Sequence, residues 1–171
     1  VNSQNSLTIK KKKVITVLNK SGLNNVDAKE YYSKSEKIKN IEAIIYNDFG
    51  SEIKKIKRKD FIDQSVADGF SVLTDGRMLY LDYTPTSYPF TIVYESEVET
   101  INTAFIPTWY PIDDYFESVE KSSITVNYIN ALGFKYKEKN FENRLIKKSE
   151  TSNTITFSVE NILAEKPEDY A

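Results

Sequence analysis

A long alternating run, "YPFTIVYESEVET" at residues 88–100, constrains the fold of this chain more than any other feature. In an extended strand, successive side chains point to opposite faces. One face would carry Ile92, Tyr94, Ser96 and Val98, and the other Thr91, Val93, Glu95, Glu97 and Glu99. The run therefore predicts a β-strand. Aromatic residues suit a pleated, half-buried surface, and they make up 13% of the chain, so the same expectation extends beyond the run.

Further strand patterns follow at short spacing along the chain. They are "LTIKKKKVITV" before Ser21-Gly22, the hairpin "KNIEAIIYNDFGSEIKKIK", the runs on either side of Asp75-Gly76 in residues 70–83, residues 122–138 around Gly133, and "NTITFSVENILA" at residues 153–164. Almost no segment has the period of a helix. We therefore predict an all-β antiparallel sandwich or barrel with few or no helices.

The length of 171 residues fits one domain with a core of its own. We expect a single domain over residues 1–165. The polar, proline-containing residues 166–171 have the composition of a linker to a downstream domain. The chain also opens without an initiator Met and passes almost directly into a strand pattern. We interpret it as one piece of a longer polypeptide.

Charge and composition exclude several classes of protein. The net charge is −2 and the pI about 5.4, whereas a nucleic-acid binder is expected to carry a basic surplus. The one basic run, Lys10–Lys13, lies beside strand patterns, where lysine protects a sheet edge against pairing; phosphate binding is the less favoured reading. No apolar run approaches the roughly 18 residues of a membrane span.

The chain has no histidine and no cysteine. Serine–histidine and cysteine–histidine nucleophilic catalysis are therefore excluded for these residues, as are most zinc sites. Neither common nucleotide-binding fingerprint is present, and we expect no cofactor and no metal. Carboxylates remain available, since a glycosidase needs two of them about 5–10 Å apart. Asp113 and Asp114 form the most noticeable pair, although adjacent aspartates in a turn more often cap backbone amides.

The segment "NTAFIPTWYPIDDY" at residues 102–115 is the candidate binding site. It combines aromatic rings with carboxylates, and its candidate residues are Trp109, Tyr110, Asp113, Asp114 and Tyr115. Exposed and coplanar, these rings would suit peptide capture or sugar stacking. Buried, they would fill a corner where the chain passes from one sheet to the next, which is the more common use of such residues. Arg77 is interpreted as a cross-strand ion-pairing residue rather than an anion site.

Six motifs in order resemble one bacterial domain family. They are Ile45–Ile56, Asp63–Ser65, Asp75–Arg77, Tyr83–Pro85, Phe105–Pro111 and Ser118–Ser122. Together they resemble the uncharacterised domain that precedes transglutaminase-like cores in exported proteins of Gram-negative bacteria. The resemblance runs over residues 7–165.

The resemblance implies a β-sandwich of immunoglobulin-like character and an exported protein, periplasmic or at the cell surface. It also implies a papain-like, transglutaminase-type core whose catalytic Cys, His and Asp lie beyond Ala171. No catalytic residue is therefore assigned here, and the full-length protein would be the cysteine-peptidase-type or transamidating enzyme. Our first hypothesis is a non-catalytic accessory domain that packs against, positions or regulates this core. The alternative is a peptide- or glycan-binding module, and an enzyme using two carboxylates ranks third.

Overall fold

The computed structural model describes residues 1–66, 75–112, 114–141 and 145–167. Within these ranges the chain is all-β, with ten antiparallel strands, three short 3₁₀ helices and no α-helix. The strands are β1 (Leu7–Val17), β2 (Lys29–Tyr32), β3 (Glu36–Tyr46), β4 (Glu52–Lys57), β5 (Ile62–Ser65), β6 (Arg77–Tyr80), β7 (Phe90–Thr100), β8 (Val119–Asn127), β9 (Lys147–Glu150) and β10 (Thr154–Ile162). The 3₁₀ helices are Ser21–Asn25, Arg58–Asp60 and Asn130–Leu132. The predicted fold class is confirmed.

The chain divides into two compact units. The first, here called the sandwich unit, comprises Asn5–Asn102, and the second, the C-terminal unit, comprises Val1–Gln4 and Thr103–Ala171. The single domain predicted over residues 1–165 stays a prediction.

The sandwich unit consists of two antiparallel sheets. A four-stranded sheet has the order β1-β7-β3-β4, and a three-stranded sheet has the order β2-β6-β5. One hydrophobic cluster joins Ile45 and Ile92 of the four-stranded sheet to Leu79 of the three-stranded sheet. The core of this unit therefore lies between the two sheets, as in a β-sandwich.

Strand β7 has the two faces that its sequence predicts. Ile92, Tyr94, Ser96 and Val98 are buried, whereas the residues between them are only partly covered. The strand lies between β1 and β3, with Leu7 opposite Thr100 and Val17 opposite Phe90 in the β1 ladder. A long alternating strand with two neighbours thus forms the centre of the larger sheet, and its apolar face contributes to the core.

The lysine run occupies β1, which is an edge strand of the four-stranded sheet. Because the strand alternates, Lys10 and Lys12 lie on its outer face, and Lys11 and Lys13 lie opposite the buried residues Ser96 and Tyr94. Each lysine has a carboxylate partner. The Nζ–O distances are 3.2 Å for Lys10–Glu97, 2.9 Å for Lys11–Glu30, 2.7 Å for Lys12–Glu95 and 2.9 Å for Lys13–Asp27. The predicted edge position is confirmed, and each charge is neutralised locally.

The predicted β3–β4 hairpin is also confirmed. Its turn is closed by the Asn47 side chain, whose Oδ1 accepts hydrogen bonds from the backbone N–H groups of Phe49 and Ser51. Gly50 has a positive φ of 74°, a conformation that glycine adopts without steric cost. The sequence "YNDFGS" therefore supplies both the capping side chain and the flexible position that this turn requires.

The hairpin predicted around Asp75-Gly76 is wrong as a tight turn. Both sides of β6 are already paired, one with β2 and the other with β5. The β5–β6 ladder ends where the N–H of Val66 donates to the carbonyl of Gly76 at 3.0 Å. The preceding arm of the predicted hairpin, residues 70–74, lies outside the described residues.

The sheet of the C-terminal unit has the order β8-β10-β9. Its central strand β10 buries Ile155, Phe157 and Val159 on one face. The strand predicted after Gly133 is wrong, because residues 134–138 have no regular structure and β8 pairs with β10 instead. No helix in the described part of the chain is long and apolar enough to cross a membrane.

Candidate functional site

Trp109 lies in the segment that connects β7 of the sandwich unit to β8 of the C-terminal unit. Its ring is half-buried and stacks on Phe157, with centroids 6.4 Å apart and an interplanar angle of 28°. The indole N–H donates to the Ser122 hydroxyl at 2.9 Å. Both the face and the polar edge of the ring are therefore engaged by the C-terminal sheet, which is how a packing tryptophan satisfies its donor.

The other candidate residues differ from Trp109. Tyr110 and Tyr115 are exposed. The Oδ1 of Asp114 accepts the backbone N–H of Tyr115 at 2.7 Å, so this aspartate caps an amide as the sequence predicts. Asp113 lies outside the described residues. The structure thus packs Trp109 against the sheet and leaves Tyr110 and Tyr115 exposed to solvent. The binding role of the candidate residues stays a prediction.

Phe157 is the centre of an aromatic cluster that the sequence analysis did not predict. Tyr136 and Phe141 contact its ring edge-on at 5.5 and 5.7 Å, and Trp109 stacks on it. Lys148 lies above the Tyr136 ring at 5.2 Å, a cation–π geometry. Its hydrogen bond with Glu150 raises the pKa of the Lys148 ammonium, with a further contribution from Tyr136. Residues 134–138, predicted as a strand, instead bring the Tyr136 ring to this sheet face, and Phe141 contacts the same face from the residues that follow.

A polar cluster inside the sandwich unit was also missed. The Glu30 side chain is buried, and one carboxylate oxygen accepts hydrogen bonds from the Ser96 hydroxyl at 2.6 Å and the Tyr94 hydroxyl at 3.3 Å. Lys11 Nζ lies 2.9 Å from the same oxygen. Burial, followed by the nearby Glu30 charge, raises the pKa of Tyr94 well above its usual range. Every group in this cluster has a partner, which favours a structural role.

Arg77 has the role that the sequence predicts for it. Its Nε donates to Asp63 Oδ1 at 2.9 Å and to the Tyr32 hydroxyl at 3.0 Å, and these residues lie on the three neighbouring strands of the smaller sheet. The hydrogen bond from Tyr32 lowers the pKa of the Asp63 carboxyl most, and Arg77 lowers it further. The arginine is thus engaged within the sheet rather than available to an anion.

Within the described ranges, no group of three or more acidic residues is arranged to hold a metal ion. The C-terminal unit instead has many exposed apolar side chains. Among the described residues of the C-terminal unit, the large apolar side chains that are exposed are Phe105, Tyr110, Tyr115, Phe116, Ile129, Leu132, Tyr136, Leu145 and Leu163. Its described buried apolar residues are Ile155, Phe157 and Val159. Among its described residues, this unit therefore exposes more large apolar side chains than it buries.

These features define an antiparallel β-sandwich protein that has neither histidine nor cysteine and presents aromatic side chains to solvent. The family model described as a domain of unknown function with a solved structure, DUF3857, matches residues 3–166, and the chain belongs to this family. The predicted membership of an uncharacterised domain family is thereby confirmed. The transglutaminase-like core and the export of the protein stay predictions.

A solved structure supports the fold. The crystal structure of a "putative protease" from Parabacteroides distasonis ATCC 8503, at 2.00 Å resolution, matches with a TM-score of 0.58 and 13% sequence identity. The match covers 98% of this chain and 34% of that protein, so this chain spans about a third of its length. At this identity the likeness is one of fold. No curated protein matches the chain significantly.

Proposed function

We propose that this chain is a non-catalytic accessory domain that packs against, positions or regulates a transglutaminase-like core of the same polypeptide in the bacterial cell envelope. The absence of histidine and cysteine supports the non-catalytic part, because these residues supply the nucleophile and base of papain-like enzymes. The motif resemblance supports the core and the envelope. The structural neighbour supports a domain that is one part of a longer polypeptide, because the matched fold there accounts for about a third of a protein named as a protease.

The observation that carries the proposal is the bare apolar surface of the C-terminal unit. Phe105 and Phe116 are 79% and 67% exposed, in the segment that also contains the exposed Tyr110 and Tyr115. Single exposed apolar residues are ordinary on a soluble protein, but several aromatic residues in one segment mark an interaction surface. Aromatic residues are also enriched at protein–protein interfaces, and Trp and Tyr are frequent among the few residues that dominate the binding energy.

Trp109 would contribute to this surface indirectly. Because its ring is stacked on Phe157 and its N–H is bonded to Ser122, the residues on either side of it are held against the sheet. Phe105 and Tyr110 are thus presented from a segment with a fixed anchor. A surface that is ordered before it meets its partner loses less conformational entropy on binding.

The proposal is tested on the full-length polypeptide with a protease site inserted directly after Pro167. After cleavage, size-exclusion chromatography shows whether the two fragments stay together. We expect them to co-elute and to separate when Phe105 is replaced by Ser. Phe49→Ser is the matched control, since Phe49 is a phenylalanine of similar exposure, 86%, in a turn of the sandwich unit. Separation of the wild-type fragments, with each remaining folded, would contradict packing.

The alternative is a peptide- or glycan-binding module, and the exposure of Tyr110 and Tyr115 favours it as the second candidate. Sugars and extended peptides stack on such rings. If the wild-type fragments separate, cell-wall glycans and peptides are titrated against the chain, and Trp109 fluorescence is followed. Saturable quenching that Tyr110→Ala abolishes would then support the alternative.

A further inference from the structure

Phe116 combines an exposed ring with an unusual backbone conformation. Its φ is 60°, in the left-handed region that a bulky side chain rarely adopts, and its side chain is 67% exposed. Asn, Asp and Gly are the residues that tolerate this region. Strained backbone persists where the surrounding structure enforces it, and it concentrates at functional positions.

The surrounding structure fixes Phe116 through its backbone. Its N–H donates to the carbonyl of Glu165 at 2.8 Å. This bond continues the register of the β8–β10 ladder, in which Val119 lies opposite Ile162. The residues that follow β10 therefore run beside the residues that precede β8, and they hold Phe116 in its conformation.

A second exposed apolar residue lies on the segment after β10 that runs beside Phe116. Leu163 directly follows β10 and is 81% exposed, and Tyr115, which precedes Phe116, is 45% exposed. We name Tyr115, Phe116 and Leu163 the exit patch, because the chain leaves β10 through it. The patch leaves apolar area in water at a place where the backbone is also strained, and neither feature stabilises the unit by itself.

We infer that the exit patch is the part of the surface that receives the domain following on the same polypeptide, through an apolar protein surface. This inference rests on the proposed function. On that function, the residues beyond Glu165 lead into the partner domain, and they start beside Phe116. A short connection gives the partner a high effective concentration at nearby surfaces, so contacts there form at the smallest cost in entropy. Docking would also bury the exposed ring that the left-handed backbone presents.

The test uses the same cleavable full-length polypeptide. Phe116→Asn removes the ring while placing a residue there that tolerates the left-handed backbone, so the variant should fold at least as stably as the parent. Leu163→Ser removes the second apolar residue without touching the strained position. We expect each variant to weaken reassociation of the cleaved fragments at least tenfold, measured by titration calorimetry, with the melting temperature of the isolated domain fragment unchanged or, for Phe116→Asn, raised. The control Phe49→Ser should leave reassociation unchanged.

The outcomes separate the two claims. Reassociation that is unaffected in both variants but lost in Phe105→Ser would overturn the exit patch and leave the accessory role intact. Wild-type fragments that never associate would overturn the accessory role, and the exit patch with it. Weaker reassociation together with a lower melting temperature in both variants would assign the patch to the stability of the unit, which also contradicts the inference.

Discussion

The carboxylate of Glu30 in β2 accepts a 2.6 Å hydrogen bond from the hydroxyl of Ser96 in β7, and this bond joins the two sheets of the sandwich unit through their interior. Tyr94 donates to the same carboxylate from the same strand as Ser96. Lys11 reaches it from the edge strand β1, with its own side chain partly in solvent. A buried charge is tolerated when it is paired and hydrogen-bonded, and here three groups on two neighbouring strands meet that requirement.

We predict that Glu30→Gln lowers the free energy of unfolding by about 1–3 kcal/mol, because the neutral amide loses the ion pair with Lys11 and keeps only one oxygen to accept the hydrogen bonds of this cluster. The matched control is Glu97→Gln, which removes an ion pair on the outer face of the four-stranded sheet, where Lys10 is 73% exposed. Its effect should stay below about 1 kcal/mol. Urea unfolding of both variants checks the prediction. An equal loss in the free energy of unfolding for Glu30→Gln and Glu97→Gln would contradict it.

The raised pKa of Tyr94 predicts a loss of stability in alkali. In the unfolded chain a tyrosine ionises near pH 10, whereas burial and the Glu30 carboxylate keep Tyr94 protonated in the folded state. The stabilisation is therefore complete below pH about 10 and is lost as the pH rises above it. Tyr94→Phe should flatten this decline between pH 9 and pH 11, and the exposed Tyr110→Phe should not. Urea midpoints across this range provide the measurement, and parallel curves for wild type and Tyr94→Phe would refute the linkage.

Trp109 should behave as a packing residue. We predict that Trp109→Ala costs about 2–4 kcal/mol, because the half-buried ring loses its stacking on Phe157 and its hydrogen bond to Ser122. Ser122→Ala should cost about 0.5–1.5 kcal/mol, the value of the hydrogen bond alone. Tyr110→Ala, at an exposed neighbouring position, should change stability by less than about 1 kcal/mol. A loss below about 1 kcal/mol for Trp109→Ala in equilibrium unfolding would instead identify a ring kept for binding.

The single domain predicted over residues 1–165 requires the two units to unfold together. Trp109 is the only tryptophan, so its fluorescence reports on the C-terminal unit alone. Glu30→Gln is the substitution predicted above to destabilise the sandwich unit. If the units form one domain, this substitution shifts the Trp109 transition as far as it shifts the transition followed by circular dichroism. Two transitions, with the Trp109 midpoint unmoved, would establish two independently folding units.

The fold was predictable where side-chain alternation is strict. Strand β7 alternates over its whole length, and β10 does so around Phe157, so the period fixes both the strand and its buried face. The errors occur where local signals compete with distant pairing. Asp75-Gly76 has the local chemistry of a tight hairpin, but β6 pairs on both sides with strands farther away in the sequence. Residues 134–138 alternate like a strand, but the Tyr136 ring packs on Phe157, and Phe134 stacks between Tyr128 and Tyr136.

The candidate site was predictable only in part. Clustering of aromatics identifies residues 102–115 as unusual, and the structure separates Trp109, which packs, from Tyr110 and Tyr115, which are exposed. Sequence order alone cannot rank these neighbours by burial, because no period governs an irregular segment. Glu30 was missed for a related reason. A glutamate between Lys29 and Tyr31 resembles any charged strand residue, and only the opposite sheet supplies the hydroxyl that makes its burial tolerable.

The run Lys10–Lys13 has a consequence for how β1 finds its partner. Four identical residues in succession carry little positional information, since a strand displaced by one step would still offer a lysine to three of the four carboxylates. Only the ends of β1 can discriminate, because Leu7 and Val17 must reach the buried positions opposite Thr100 and Phe90. The charged middle thus attracts the strand to β7 in several alignments, and the two apolar ends select one of them.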